Sequence, residues 1–144
     1  MRGPVVIRRI YYWVDILGMT KIKIKTKNFE VEASLNQTKA AQAIYQILPI
    51  KAEAKLWGEE IYFPISVKLS KKDLEDPKKV VEVGDIGYWP PGPGFCIFFG
   101  KTPVSTETEI RPASAVEVIG KFGKEAISLF KKVQEGEEII IYPK

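Results

Sequence analysis

The stretch GDIGYWPPGPGFCIFFGKTP, residues 84–103, combines aromatic rings with prolines and glycines in a pattern that suits ligand binding. Three prolines and two glycines fall within residues 90–94. Proline fixes φ while glycine permits unusual dihedral angles, so this loop is pre-shaped, and Trp89–Pro90 is a candidate cis peptide bond. Stiff loops beside aromatic rings can wall a binding site, because binding freezes little additional motion. The alternative interpretation is a corner that only joins two buried strands.

The reactive side chains exclude several kinds of catalysis. The chain contains no histidine, which removes a histidine general base, a serine–histidine or cysteine–histidine nucleophile pair and histidine-bound zinc. The single cysteine, Cys96, lies between Phe95 and Ile97 and is predicted to be a small buried hydrophobe. Acid–base chemistry is left to carboxylates, lysines and tyrosines, and no phosphate-loop, dinucleotide or carboxylate-pair motif is present. We expect no metal site and no cofactor.

Length and charge indicate one domain without a nucleic-acid surface. The 144 residues suffice for a single hydrophobic core. Residues 1–27 carry a net charge of +6, from seven basic residues and one acid, whereas the other residues carry −2. Because the rest of the chain, which forms most of the domain, carries a net negative charge, we expect no nucleic-acid partner. No apolar run approaches the roughly 20 residues of a membrane span, and a single cysteine fits a cytoplasmic location. The pattern indicates no particular oligomeric state.

Residues 1–18 differ from the rest of the chain. Arg8-Arg9 precedes an apolar run that Asp15 interrupts, and no small-residue cleavage site follows, which argues against a signal peptide. Regular strand alternation begins only after Met19. We expect residues 1–18 to be an N-terminal extension, either upstream of a natural start at Met19 or an added strand, and residues 19–144 to form the domain. A membrane-surface anchor is the alternative.

From Thr20 onward the periodicity predicts eight strands and two helices. Lysines alternate with isoleucines over residues 20–25 and glutamates with apolar residues over 29–33, which predicts a hairpin with lysine–glutamate pairs on its solvent face. The predicted helices span residues 38–48, with Asn36 as the N-cap, and residues 124–133. The other predicted strands span residues 52–57, 60–67, 86–89, 95–99, 116–122 and 139–142. Because strands and helices do not alternate, we expect a mostly antiparallel sheet closed into a barrel.

Several segments resemble the cyclophilin fold. VEVIGKFGKEAISLFKKV, residues 116–133, is similar to the segment in which a cyclophilin strand leads into the second helix, and EEIIIYPK is similar to the last strand. The proline-rich stretch, LNQTKAAQAIYQILP and LWGEEIYFPI resemble a small cyclophilin-like family of unknown function from archaea and thermophilic bacteria. The resemblance covers about Met19 to Lys144. It implies a mainly β protein, with a closed antiparallel eight-stranded cyclophilin-like β-barrel and two capping α-helices.

The resemblance does not extend to the catalytic residues of prolyl isomerases. Cyclophilins with that activity use an arginine on the third strand and a Phe-Met-x-Gln stretch on the fourth. Here the third strand reads AEAKLW, with Lys55 and Trp57, and the fourth reads IYFPIS. Lysine lacks the planar donor fork of arginine. Prolyl isomerase activity is therefore disfavoured, since a fold alone does not confer an activity.

The same resemblance places the hairpin around Gly58 near the strands of the cyclophilin pocket, where Trp57 and Tyr62 would face the proline-rich loop. Phe95 and Phe98 could correspond to the family's pocket phenylalanine. The candidate ligand-binding residues are Trp57, Glu60, Tyr62, Tyr88, Trp89, Phe95, Phe98 and Arg111. The predicted function is binding of a small molecule or peptide. The alternatives are a prolyl isomerase with a replaced catalytic donor, a protein–protein interaction module, and ordinary burial of each aromatic residue in the core.

Overall fold

The structure is a computed structural model that describes residues 3–7, 10–14 and 19–144. Strands β1 (Gly3–Ile7) and β2 (Ile10–Val14) pair with each other as an antiparallel hairpin. Arg8-Arg9 and Asp15, on which the interpretation of the extension depended, lie outside the described residues. No helix among the described residues is long and apolar enough to cross a membrane.

Nine further strands form one antiparallel sheet, which confirms the predicted mainly β, cyclophilin-like architecture. In spatial order they are β5 (Ile50–Glu53), β11 (Glu138–Pro143), β3 (Thr20–Lys25), β4 (Glu30–Leu35), β10 (Glu117–Phe122), β8 (Asp85–Trp89), β9 (Gly94–Phe98), β7 (Glu60–Pro64) and β6 (Lys55–Leu56). The predicted hairpin is β3–β4, where Lys23 lies opposite Glu32 and its ammonium group approaches Glu30 at 3.5 Å.

The two end strands of this sheet are consecutive in the chain, so the sheet bends into a nearly closed barrel. Ala54 separates β5 from β6, and its backbone exchanges hydrogen bonds of 2.8 Å with Glu137 and Gly136 just before β11. The single strand predicted over residues 52–57 is therefore two short strands that meet at this corner. That division accounts for nine strands where eight were predicted.

Two short helices accompany the barrel. Helix α1 (Lys39–Gln46) is capped by Thr38, whose hydroxyl accepts from the Ala41 N–H at 3.1 Å. The prediction of Asn36 as the N-cap was wrong, because the Asn36 side-chain amide donates instead to the Val118 carbonyl on β10 at 2.8 Å. The second predicted helix is a 3₁₀ turn (Lys124–Ala126) followed by helix α2 (Ile127–Phe130).

Strand alternation divides the apolar residues between two cores. Inward-facing side chains fill the barrel, where the Phe63 and Phe95 rings stack with centroids 5.1 Å apart. A second, smaller core lies on the outer face of β8 and β9 and consists of Val81, Cys96, Phe98 and Val116. The outer core is covered by the long connection between β9 and β10, residues 99–116, and this arrangement creates the candidate site.

The proline-rich loop, residues 90–93, joins β8 to β9 at one edge of this outer face. The cis peptide bonds of the described chain are Leu48–Pro49 and Gly92–Pro93, so the candidate cis bond at Trp89–Pro90 was wrong. A side chain at Gly92 would clash with the Gly94 backbone at 2.6 Å and approach the Trp89 ring at 3.2 Å. The loop is therefore folded tightly against Trp89.

A candidate ligand-binding groove on the outer face of the barrel

A groove with a volume of about 320 Å³ lies on the outer face of β7, β8 and β9. We call it the aromatic groove and define it by the residues that line it: Trp57, Glu60, Tyr62, Trp89, Cys96, Pro112, Ala113 and Val116. The strand register brings Tyr62 and Cys96 together in the groove, because Tyr62 on β7 lies directly opposite Cys96 on β9. The same face of β8 carries Trp89, which lies beside Gly94 at the end of β9.

The connection between β9 and β10 supplies the wall opposite the strands. Val116 lies over Gly87 on β8, where an added Cβ would meet the valine side chain at 3.2 Å. The backbone of Val116 is held by two hydrogen bonds with Lys78, of 2.7 and 3.0 Å. Trp89 joins the two walls, because its indole Nε1–H donates to the Ser114 hydroxyl at 2.8 Å. A glycine on β8 is thus what lets this segment pack closely enough to form a groove.

The turn that carries Trp57 and Glu60 is also fixed. These two residues exchange backbone hydrogen bonds of 2.9 and 3.2 Å. Gly58 has φ of +61°, and an added Cβ would lie 2.7 Å from the Lys101 carbonyl. The Glu59 N–H donates to that carbonyl at 2.8 Å, which ties the turn to the start of the connection. The position of Trp57 is therefore set by backbone contacts that only glycine at residue 58 permits.

Glu60 gives the groove its unusual electrostatics. Its side chain lines the groove although the residue is only 5% exposed. The carboxyl oxygen Oε1 is buried and has no hydrogen-bond partner among the described residues. Burial raises the pKa of Glu60 to about 7, and hydrogen bonding with the Cys96 thiol lowers it only in part. A carboxyl group with such a pKa exchanges its proton near neutral pH.

Cys96 is the neighbour of Glu60 on the groove floor. Burial, and then the adjacent Glu60 carboxylate, raises the pKa of the Cys96 thiol well above its usual value. The thiol therefore stays protonated and is a weak donor, not a thiolate nucleophile. This agrees with the sequence-based prediction of a small buried hydrophobe at residue 96.

The structure brings together four of the eight candidate residues, Trp57, Glu60, Tyr62 and Trp89. Tyr88 and Phe95 lie inside the barrel, since each is the strand neighbour of a groove residue and alternation turns it inward. Phe98 belongs to the outer core beside the groove. Arg111 pairs with Glu109 at the surface and lines a neighbouring depression with Pro112 and Ala113.

The sequence analysis did not identify the four other groove residues, Cys96, Pro112, Ala113 and Val116. Cys96 was correctly predicted to be buried, but its direction was not predicted. Pro112 and Ala113 belong to an irregular connection that has no periodicity, and Val116 was predicted only as the first residue of a strand. The one available signal was Gly87, a glycine inside an apolar strand, which often marks close approach of another segment.

The titratable groups of residues 19–144 form no cluster of three that could hold a metal ion. Two carboxylates instead stabilise the fold by accepting hydrogen bonds from backbone N–H groups. Asp85 accepts from the Glu82 N–H at 2.9 Å and stabilises the turn before β8. Glu117, which is buried, accepts from the backbone of Glu75 and Asp76 at 2.6 and 2.8 Å and ties their loop to β10.

Comparison with known proteins agrees with this architecture. Residues 20–142 match the model of the cyclophilin-like family, and the chain belongs to that family. It is similar to the hypothetical protein AF2241 from Archaeoglobus fulgidus, whose solution structure is known. The two share 38% identity over 88% of this chain and 96% of that one, with a TM-score of 0.71.

A more distant likeness shows the fold alone. The structure of McbB in complex with tryptophan aligns with 85% of this chain and 44% of its own, at 12% identity and a TM-score of 0.61. No curated protein matches the chain.

Proposed function

We propose that the protein binds a small molecule in the aromatic groove. The observation that carries this proposal is a concave, mostly apolar site that also holds a buried carboxyl oxygen, Oε1 of Glu60, without a hydrogen-bond partner among the described residues. Binding sites for small molecules combine these two features, because apolar walls supply affinity and a few polar groups fix orientation. A volume of about 320 Å³ lies at the small end of the range for such sites.

The walls also suit binding because they are rigid. Trp57, Tyr62 and Trp89 are half-buried, and they present large faces with few rotatable bonds. Little side-chain entropy is lost when a ligand contacts rings that are already held in place. Trp89 is fixed by Ser114 and Gly92, and the turn that carries Trp57 is fixed by Gly58.

The same geometry favours small-molecule binding over the two alternatives. The lining of the groove contains no arginine, and Lys55 on β6 is exposed outside it, so the groove lacks the donor that prolyl isomerases use. A protein–protein module would be expected to present its aromatic residues on an open face. Here Trp57 and Trp89 instead line one concave site.

The test is a fragment screen by ligand-observed NMR against the intact protein and two variants. Trp57→Ala removes one wall, and it is a cleaner change than Trp89→Ala because Trp89 also packs against the proline-rich loop. Ile47→Ala is the matched control, because Ile47 is an exposed residue that directly follows helix α1. We expect fragments that bind the intact protein and the control but not Trp57→Ala, with all three proteins melting cooperatively.

The proposal fails if no fragment binds the intact protein. It also fails if the fragments that bind do so equally well to Trp57→Ala, because they would then occupy a different surface.

A further inference from the structure

We propose that the aromatic groove selects small organic cations, specifically an amine on a compact apolar body, through the Glu60 carboxylate. This inference rests on the proposed function, since it names the chemical class of ligand for the same groove. Three observations lead to it: the unpartnered carboxyl oxygen, the absence of a cation from the groove lining, and the arrangement of aromatic rings around the carboxyl group.

The first observation concerns hydrogen bonding. Among the described residues, buried side-chain oxygens without a partner are found on Thr20, Glu60 and Glu137. Of these three residues, Glu60 is the one that lines the aromatic groove. A buried carboxylate oxygen without a partner is costly, and a donor that reaches it recovers much of that cost. The missing donor is therefore a group that a ligand can supply.

The second observation concerns charge. The described residues that line the groove include neither lysine nor arginine, and Glu60 takes part in none of the ion pairs of the described chain. The titratable groups that share the groove with it are the Cys96 thiol on β9 and the Tyr62 phenol on β7. Neither is a counter-ion. A ligand that carries a positive charge would supply one, whereas an anion would be repelled.

The third observation concerns the walls. Trp57, Tyr62 and Trp89 surround the same space as Glu60. The faces of tryptophan and tyrosine rings attract cations, and the attraction grows when water is excluded. The same rings provide apolar contact for the rest of the ligand. A neutral alcohol could donate a hydrogen bond to Glu60, but it would gain neither the ionic attraction nor the cation–π contact.

Proton exchange at Glu60 makes this preference dependent on pH. The pKa of Glu60 is about 7, mainly because of burial. A cation binds the ionised carboxylate, which is about tenfold more abundant at pH 8 than at pH 6 for such a pKa. The Cys96 thiol remains protonated in this range, because burial raises its pKa. Amine affinity should accordingly rise about tenfold between pH 6 and pH 8.

The experiment compares three probes of similar shape: 2-phenylethylamine, 2-phenylethanol and 3-phenylpropionate, a cation, a neutral donor and an anion. Dissociation constants come from ¹⁵N NMR titrations that follow the indole N–H signals of Trp57 and Trp89 at pH 8. Glu60→Gln removes the charge while keeping the shape of the side chain. Glu59→Gln is the matched control, because Glu59 is the adjacent residue but approaches Lys131 outside the groove.

We expect the amine to bind at least about tenfold more tightly than the alcohol and the propionate. Glu60→Gln should abolish that difference and the pH dependence, and Glu59→Gln should retain both. Equal binding of the amine and the alcohol, or preference for the propionate, would overturn the inference and leave the proposed function standing. Retention of the preference in Glu60→Gln would overturn it as well. Failure of all three probes to bind would overturn the inference, and the fragment screen would still decide whether the proposed function stands.

Discussion

At the scale of single residues, Glu60 differs most from an ordinary surface carboxylate. It lies in strand β7, where alternation turns it outward, but it is buried and lines the groove together with Pro112 and Ala113 of the connection between β9 and β10. Its raised pKa means that the folded state holds the proton more tightly than the unfolded chain does. The contribution of Glu60 to stability is then fully present below the unfolded pKa of about 4.5, and it is lost as the pH rises through the folded pKa of about 7.

Glu60→Gln is therefore expected to stabilise the protein at neutral and alkaline pH. The ionised carboxylate costs on the order of 3 kcal/mol above pH 7, because burial raises its pKa from 4.5 to about 7, and glutamine does not carry this cost. At pH 4.5 the two proteins should have nearly equal free energies of unfolding. Urea denaturation of both proteins at pH 4.5, 6 and 8 checks this. A difference that does not change with pH would show that Glu60 is not the titrating group.

The absence of an arginine from the groove lining leads to a second prediction at this scale. Lys55 is exposed on β6 and cannot provide a planar bidentate donor to a substrate amide. We expect negligible prolyl isomerase activity in a protease-coupled assay with proline-containing peptides. Efficient turnover that a cyclophilin inhibitor blocks would contradict this expectation.

At the scale of elements, the long segments between strands are held by a few buried polar side chains. Tyr88 is fully buried, and its hydroxyl donates to the Val67 carbonyl and accepts from the Leu69 N–H, both at 3.1 Å. The Glu117 carboxylate likewise accepts hydrogen bonds from two backbone N–H groups of the loop at residues 75–76. These partners are backbone groups of segments that pair with no strand. The side chains of Tyr88 and Glu117 therefore supply the hydrogen bonds that a neighbouring strand would otherwise supply.

Tyr88→Phe is expected to reduce the free energy of unfolding by about 1–3 kcal/mol, because two backbone groups lose their partner. Tyr62→Phe is the matched control, since Tyr62 is half-buried in the groove and its hydroxyl makes no hydrogen bond among the described residues. Chemical denaturation of both variants provides the comparison. An equal effect of the two substitutions would show that the Tyr88 hydrogen bonds do not stabilise the segment.

The elements also differ in how well they could be predicted from the sequence. Alternation in IKIK and VEVIGKF identified the strands, because one face of each is buried. In GFCIF every residue of β9 is buried, on one face by the barrel and on the other by the outer core, so alternation could not show which rings face the groove. Residues 100–115 carry no periodicity, and the wall formed by Pro112 and Ala113 was therefore missed.

At the scale of the whole molecule, the barrel and the N-terminal hairpin are separate sheets. Strands β1 and β2 pair with each other, and the barrel sheet begins at Thr20. The match to the cyclophilin-like family also begins at residue 20. The division of the chain at residue 18 remains a proposal, and it is consistent with these two boundaries.

We expect a truncated chain that begins at Met19 to fold. Its melting temperature should lie within a few degrees of that of the full chain, because no hydrogen bond of the barrel sheet comes from β1 or β2 in the described residues. Differential scanning calorimetry of both chains tests this. Loss of cooperative unfolding in the shorter chain would show that the hairpin belongs to the core.

The central claim is that the outer face of the barrel, and no other surface, receives the ligand. Intermolecular nuclear Overhauser effects between 2-phenylethylamine and the labelled protein test it most directly. The phenyl protons should contact the rings of Trp57, Tyr62 and Trp89. Contacts instead to Phe99 and Ile127, which line a separate depression of the surface, would contradict the claim.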